Sequence, residues 1–445
     1  MTGTSLLLLG ALAVAVLLAL VIWVRMPAFV ALMLVALATA VVSGIPLADA
    51  VSTVTGGVGK TLGSVAVVVG LGAMLGRIIE ESGGAQSLAN YFTDKLGRAR
   101  VPVAITVAAF ILGIPVFFDV GFIILAPIIF GFAAVAKINP LKIGLPVAAT
   151  LLTVHVVVPP HPGPVAVAEI LGQDAGMLLT IALPVAAVTA AICFFTVKLF
   201  KVESIERGKS PAEIEVIEDF DHAPSPWTVI SLILLPILII MVGTTGQMMA
   251  TEGSALYTFV SFFGSSPVAL LISVIVAWFV LGSQQHWDRQ RSTDVMDSAL
   301  PTVAVIIFVT GAGGGFANVL VESGIGDVLS EILIDTGLPL ILMAFVMAAA
   351  LRAAQGSATV ALLTTAGLLA QPITDAQLST IQGALVMVAI GFGGLGLSHI
   401  NDSGFWIVTK YLGLSVKQGL RYWTSLTTVY GVVGFLITWA IYAVV

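Results

Sequence analysis

Four short stretches of this chain carry polar side chains in surroundings that are otherwise almost wholly apolar. FFDVG (117–121) holds one carboxylate, Asp119. TVHVVVPPHPGP (153–164) offers Thr153, His155 and His161. LRAAQGSAT (351–359) offers Arg352, Gln355, Ser357 and Thr359. SHINDSG (398–404) offers Ser398, His399, Asn401, Asp402 and Ser403. A guanidinium, amides and hydroxyls can pair with a carboxylate and with the hydroxyls beside it. Asp119, Asp402 and His155 can take up and release protons. Each residue also has a plainer reading. Arg352 can form a structural ion pair with a carboxylate such as Asp402, Asp119 can cap a following helix, and a buried neutral histidine can bond to backbone. Ionisable groups at membrane depth are costly to place, which favours a working role for Arg352 and Asp119.

The elements that must position these residues are membrane helices. The chain has 445 residues, 58% hydrophobic and 9% charged; a soluble domain carries about 25% charged residues. Apolar runs recur along the whole length, each near the roughly 20 residues a span requires. Ten spans are expected, at 5–23, 27–44, 62–79, 143–171, 177–199, 227–243, 266–282, 300–320, 382–409 and 422–444. The first lacks a basic flank and a cleavage site, so it reads as a span and not a signal peptide. Two further stretches, 101–136 and 338–371, are too long for one helix and are interrupted near the middle, so each goes in and comes back, either as two full spans or as a re-entrant hairpin. All but two of the 18 Lys and Arg residues fall at one set of span ends. Positive residues mark the cytoplasmic side, which places both termini outside. Lys60 stands alone on the other side, and Arg352 lies inside the second hairpin. The polar segment 201–226 reads as a cytoplasmic linker between five crossings and five crossings.

Two such halves must be inverted relative to each other. Gly70-Leu71-Gly72 matches Gly311-Ala312-Gly313, Glu81-Ser82-Gly83 matches Glu322-Ser323-Gly324, and Gly163 matches Gly404, all at one offset of 241 (322 − 81). The chain therefore divides into a first repeat (1–200), a linker (201–226) and a second repeat (227–445). Equivalent helices in the two halves (143–171 and 382–409) are broken, one by prolines and the other by glycines with Asn401 and Asp402. Irregular backbone at membrane depth is tolerated where it lines a cavity, so paired breaks point to a substrate site near the midplane. The stretches 85–96 and 325–334 read as interfacial helices. Glu81 and Glu322 read as structural.

Several chemistries are excluded. One cysteine, Cys193, allows no internal disulfide and no thiolate metal cluster. There is no HExxH and no nucleophile elbow, and the glycine runs 311–315 and 391–396 lack the Gly-Lys-Ser/Thr of a phosphate loop. An enzyme and a resident cofactor or metal are therefore not expected. A channel is the nearest alternative, but channels favour symmetric pore-lining rings, whereas paired breaks favour alternating access.

The stretches GLGAMLGRIIEESGGAQ (70–86), PVFFDVGFIILAP (115–127), PPHPGPVAVA (159–168), GAGGGFANVLVESG (311–324), LRAAQGSATVA (351–361) and SHINDSGFW (398–406) resemble the gluconate:proton symporter family of the ion-transporter superfamily. The resemblance runs over nearly the whole chain. Asp119 stands where many members carry Glu, and Ser403 where Pro is expected. The resemblance implies a bacterial inner-membrane carrier of gluconate or a related sugar or hydroxy acid, coupled to protons. It further implies two re-entrant hairpins, a homodimer and an elevator motion. D-serine, glycerate, 3-hydroxy acids and sodium coupling are the alternatives that such a fold also admits.

Overall fold

The computed structural model describes residues 3–445 apart from 98–99, 115, 160, 174, 201, 203–204, 211–222, 326–327 and 329–337. The expected interfacial stretch 325–334 and most of the linker lie outside the described residues. Every described element is helical. Among the described residues, nine helical stretches are long and apolar enough to cross a membrane, and the chain is a multi-pass membrane protein. Two of the ten expected spans are shorter as helices: α2 (Ala28–Ser43) and α17 (Thr380–Leu395) have 16 residues each.

One expected boundary moves. The span placed at 62–79 belongs to a single 35-residue helix, α3 (Leu47–Glu81), which starts about four turns earlier. The added turns carry Gly56, Gly57 and Gly59. They remain helical because α3 packs backbone-close against α14 (Ala299–Glu322). A Cβ on Gly57 would lie 2.5 Å from Asn318 Cβ, and one on Gly314 would lie 1.8 Å from Thr61 Oγ1. Small residues allow this approach, and dispersion across a close helix pair replaces the hydrophobic drive that lipid removes.

The two hairpin stretches are helix pairs. The first comprises α5 (Val101–Gly113) and α6 (Phe118–Ala136). The second comprises α15 (Leu340–Gln355) and α16 (Ala358–Asp375). At 1.5 Å per residue, the 13-residue α5 spans roughly 20 Å, short of the ~30 Å hydrocarbon core. The broken helices are α7 (Leu141–Val157) with α8 (Pro162–Ile170), and α17 with α18 (Ser403–Tyr411). The breaks are narrower than the sequence suggests. Thr153 and His155 sit within α7, and Gly391 to Leu395 within α17. Helix α9 (Ala175–Phe194) and α19 (Ser425–Tyr442), which is entered through a π-helical turn at Gly419–Thr424, complete this part of the molecule.

The hairpins, the broken helices, α9 and α19 pack mainly on one another. Helices α2, α3, α14 and α12 (Ser266–Gln284) form a second group. The groups meet where α6 packs on α3 and α18 on α14. Helix starts recur along the chain: Pro162 and Ser403 are 241 positions apart (403 − 162), Ala175 and Val416 also 241 (416 − 175), and Phe118 and Ala358 240 (358 − 118).

Candidate functional site

The turn of the second hairpin is built around Gly356. It has φ +78°, and a Cβ there would lie 2.1 Å from the carbonyl oxygen of Asn401. Only glycine meets both requirements. This lets the turn seat directly on the second break. Asn401 Nδ2 donates to the Ala353 carbonyl at 2.9 Å, and His399 Nε2 also bonds that carbonyl at 2.8 Å. Both satisfy the orphan end of α15. Arg352 is buried, 2% exposed, and forms an ion pair with Asp402 while donating to the Gly356 carbonyl. Asp402 also accepts from Ser398 Oγ and, as the N-cap of α18, from the Gly404 amide at 3.1 Å. The π-helical turn holds Ser398 in place: Trp423 Nε1 donates to its hydroxyl at 2.8 Å, and Thr424 Oγ1 to its carbonyl at 2.6 Å.

The first break meets the first hairpin in a similar way. His161 Nε2 lies 2.6 Å from the carbonyl of Gly113, the last residue of α5. His161 Nδ1 lies 3.2 Å from His155 Nδ1. In each half, then, a histidine of the broken helix bonds the carbonyl end of the first hairpin arm.

These pieces enclose a cavity of about 320 Å³, within the usual range of ligand pockets, ~300–1,000 Å³. Three helix N-termini line it: α6 through Phe118 and Asp119, α16 through Ser357 to Val360, and α18 through Ser403 and Gly404. Each presents a positive dipole end, with Ser357 capping the Val360 N–H of α16 and Asp402 the Gly404 N–H of α18. Arg352, Gln355, Asn401, Asp402 and His155 complete the polar part of the wall. Arg352 Nε, Gln355 Oε1 and Asn401 Oδ1 are buried without a hydrogen-bond partner among the described residues. Buried polar atoms are nearly always paired; these three are orphaned behind the cavity surface, on residues that line it. A second crevice, of about 150 Å³, is lined only by apolar groups such as Leu88, Ile105, Phe132 and Ile233, and offers an anion nothing.

The structure thus assembles most of the expected residues and sets three aside. Thr153 points within its own helix, its hydroxyl donating to the Ala149 carbonyl at 2.7 Å, because a Thr inside a helix back-bonds readily. His161 and His399 stand behind the wall, bonded to backbone. Asp119 caps nothing: its carboxylate lines the cavity and receives no hydrogen bond from a described residue. Asp402, expected among the proton carriers, is instead engaged by Arg352, Ser398 and Gly404. Sequence reasoning missed Lys60, Thr61 and Asn318, which α3 and α14 bring to the same cavity. The signal was present in Lys60, a lone cation beside a glycine cluster.

Comparison with known proteins agrees with this picture. The family model described as GntP family permease matches residues 5–445. The inner membrane permease YgbN of Escherichia coli (strain K12) is 51% identical over 456 residues, covering all of both chains. A gluconate permease of Pseudomonas aeruginosa is 35% identical, covering 92% of this chain and 91% of its own. The high-affinity gluconate transporter of Escherichia coli is 34% identical, covering 97% and 98%. The chain is therefore a permease and not an enzyme, and it belongs to the GntP permease family.

Proposed function

We propose that this permease carries gluconate or a closely related sugar-acid anion across the bacterial inner membrane together with a proton. The observation that carries the substrate class is the convergence of three helix N-termini and Arg352 on one cavity. A carboxylate there meets helix N-termini together with the cationic side chains of Arg352 and Lys60. Gln355 and Asn401 line the cavity, and their side-chain amides can accept from hydroxyls. The permeases named for gluconate, about 35% identical to this chain, support the same class.

For the proton we assign Asp119. It lines the cavity without a hydrogen bond from a described residue, whereas Asp402 is committed to Arg352. Protonation and substrate binding at one wall couple electrostatically, since each changes the charge the other meets.

The transport motion we propose is an elevator. The hairpins and broken helices form a compact body, and the substrate lies between that body and the α3–α14 pair. Ten crossings, two re-entrant hairpins and inverted halves joined by the linker fit the recurrence of helix starts near an offset of 241 (403 − 162). We further propose a homodimer with both termini outside.

The test of the substrate reading is protection of an engineered thiol. Ser357→Cys, at the start of α16, should react with a polar maleimide, and gluconate should slow that reaction. Labelling indifferent to gluconate, glycerate and D-serine alike would remove this cavity as the substrate site.

A further inference from the structure

The two histidines of the first break define each other's protonation. Gly113 ends α5, and its carbonyl can only accept a hydrogen bond. His161 Nε2, 2.6 Å away, must therefore carry a hydrogen. A neutral imidazole has one N–H, so His161 Nδ1 is a bare lone pair. His155 Nδ1, at 3.2 Å from it, must then be the donor. That leaves His155 Nε2 unprotonated. His155 lines the cavity, and no described residue hydrogen-bonds its Nε2. Phe117 packs against both rings, at centroid distances of 5.6 and 5.8 Å, and hinders their reorientation.

We infer that His161 is a positioning residue that fixes His155 in its Nδ1–H tautomer, so that His155 Nε2 reads a substrate hydroxyl as an obligate acceptor. This rests on the cavity being the substrate site. It adds an acceptor to a wall that already carries the Asp119 carboxylate and the amides of Gln355 and Asn401. Acceptors suit a ligand rich in hydroxyls and offer nothing to an alkyl chain. Selectivity for a polyhydroxy acid over its deoxy analogues would then be set partly from behind the wall, by a backbone carbonyl acting through two rings.

The experiment uses the full-length protein in lipid nanodiscs at about pH 8, where an ordinary histidine is neutral. The ¹⁵N spectrum of histidine-labelled protein reports the tautomer, with His155 assigned from a His155→Gln variant. Binding of gluconate and of each monodeoxy gluconate is measured on the same samples. Wild type should show His155 protonated at Nδ1, and one deoxy analogue should bind roughly three- to tenfold more weakly than gluconate. His161→Phe removes the acceptor at Nδ1; His155 should change tautomer, and that one discrimination should vanish while the other analogues keep their ratios. His161→Asn places a carboxamide oxygen near the lost Nδ1 and should restore both. A wild-type spectrum with His155 protonated at Nε2 overturns the inference, as does full discrimination surviving in His161→Phe. If His161→Phe does not fold, the wild-type spectrum still decides the tautomer. Failure of wild type to bind gluconate or any analogue would instead sink the substrate reading, and the hydroxyl-reading role with it, while the spectrum would still show whether His161 sets the tautomer.

Discussion

Arg352 and Asp402 form a buried ion pair that bridges the turn of the second hairpin and the break in the second broken helix. The pair does two things at once. It locks the hairpin turn to the N-terminus of α18, and it holds Arg352 in the cavity wall with its Nε buried and without a partner among the described residues. Breaking such a pair strands a charge away from water, at about 3–5 kcal/mol.

Arg352→Gln is therefore expected to lower stability and to weaken anion binding by more than roughly tenfold. Arg352→Gln with Asp402→Asn should recover stability without recovering binding. Thermal unfolding in detergent and equilibrium binding separate the two effects. Binding restored in the double variant would show that Arg352 serves the fold alone.

Asp119→Asn is expected to abolish accumulation driven by a pH gradient while leaving exchange of internal for external substrate intact. The motive is a carboxylate in the cavity wall that no described residue hydrogen-bonds. Exchange and net uptake measured side by side decide it. Accumulation that persists in the variant would take the proton from Asp119.

Gly356→Ala is expected to stop transport, because a Cβ there meets the Asn401 carbonyl and the backbone has φ +78°. Gly367→Ala, whose Cβ meets nothing within 4 Å, should be silent. Equal activity in both variants would mean that the seating of the turn on the break is not required.

Lys60 contributes its charge from α3, on the other side of the cavity from Arg352. Lys60→Gln should raise the apparent KM several-fold and flatten the salt dependence of uptake with little change in melting temperature. An unchanged KM at low and high salt would remove Lys60 from the binding wall.

Much of this was legible in the residues. Each polar cluster marked a helix end or break, because Pro159, Pro162, Gly356 and Asp402 either stop a helix or cap one. Lys60 read as a lone cation on the other side because the span was started at 62, whereas packing on α14 carries α3 back past it to Leu47. Thr153 misled for the opposite reason: its hydroxyl type suited the site, but helical phase sends it to the Ala149 carbonyl. The Arg352–Asp402 ion pair was legible as the plainer reading of both residues, and the structure forms it across 50 residues of sequence.

The central claim is that the cavity carries gluconate with a proton. Labelled gluconate uptake into proteoliposomes, with and without an inward proton gradient, tests it most directly. The account predicts accumulation above equilibrium with the gradient, collapse to equilibrium on adding an uncoupler, and suppression by unlabelled sugar acids. Uptake that ignores the proton gradient, or follows a sodium gradient instead, would contradict it.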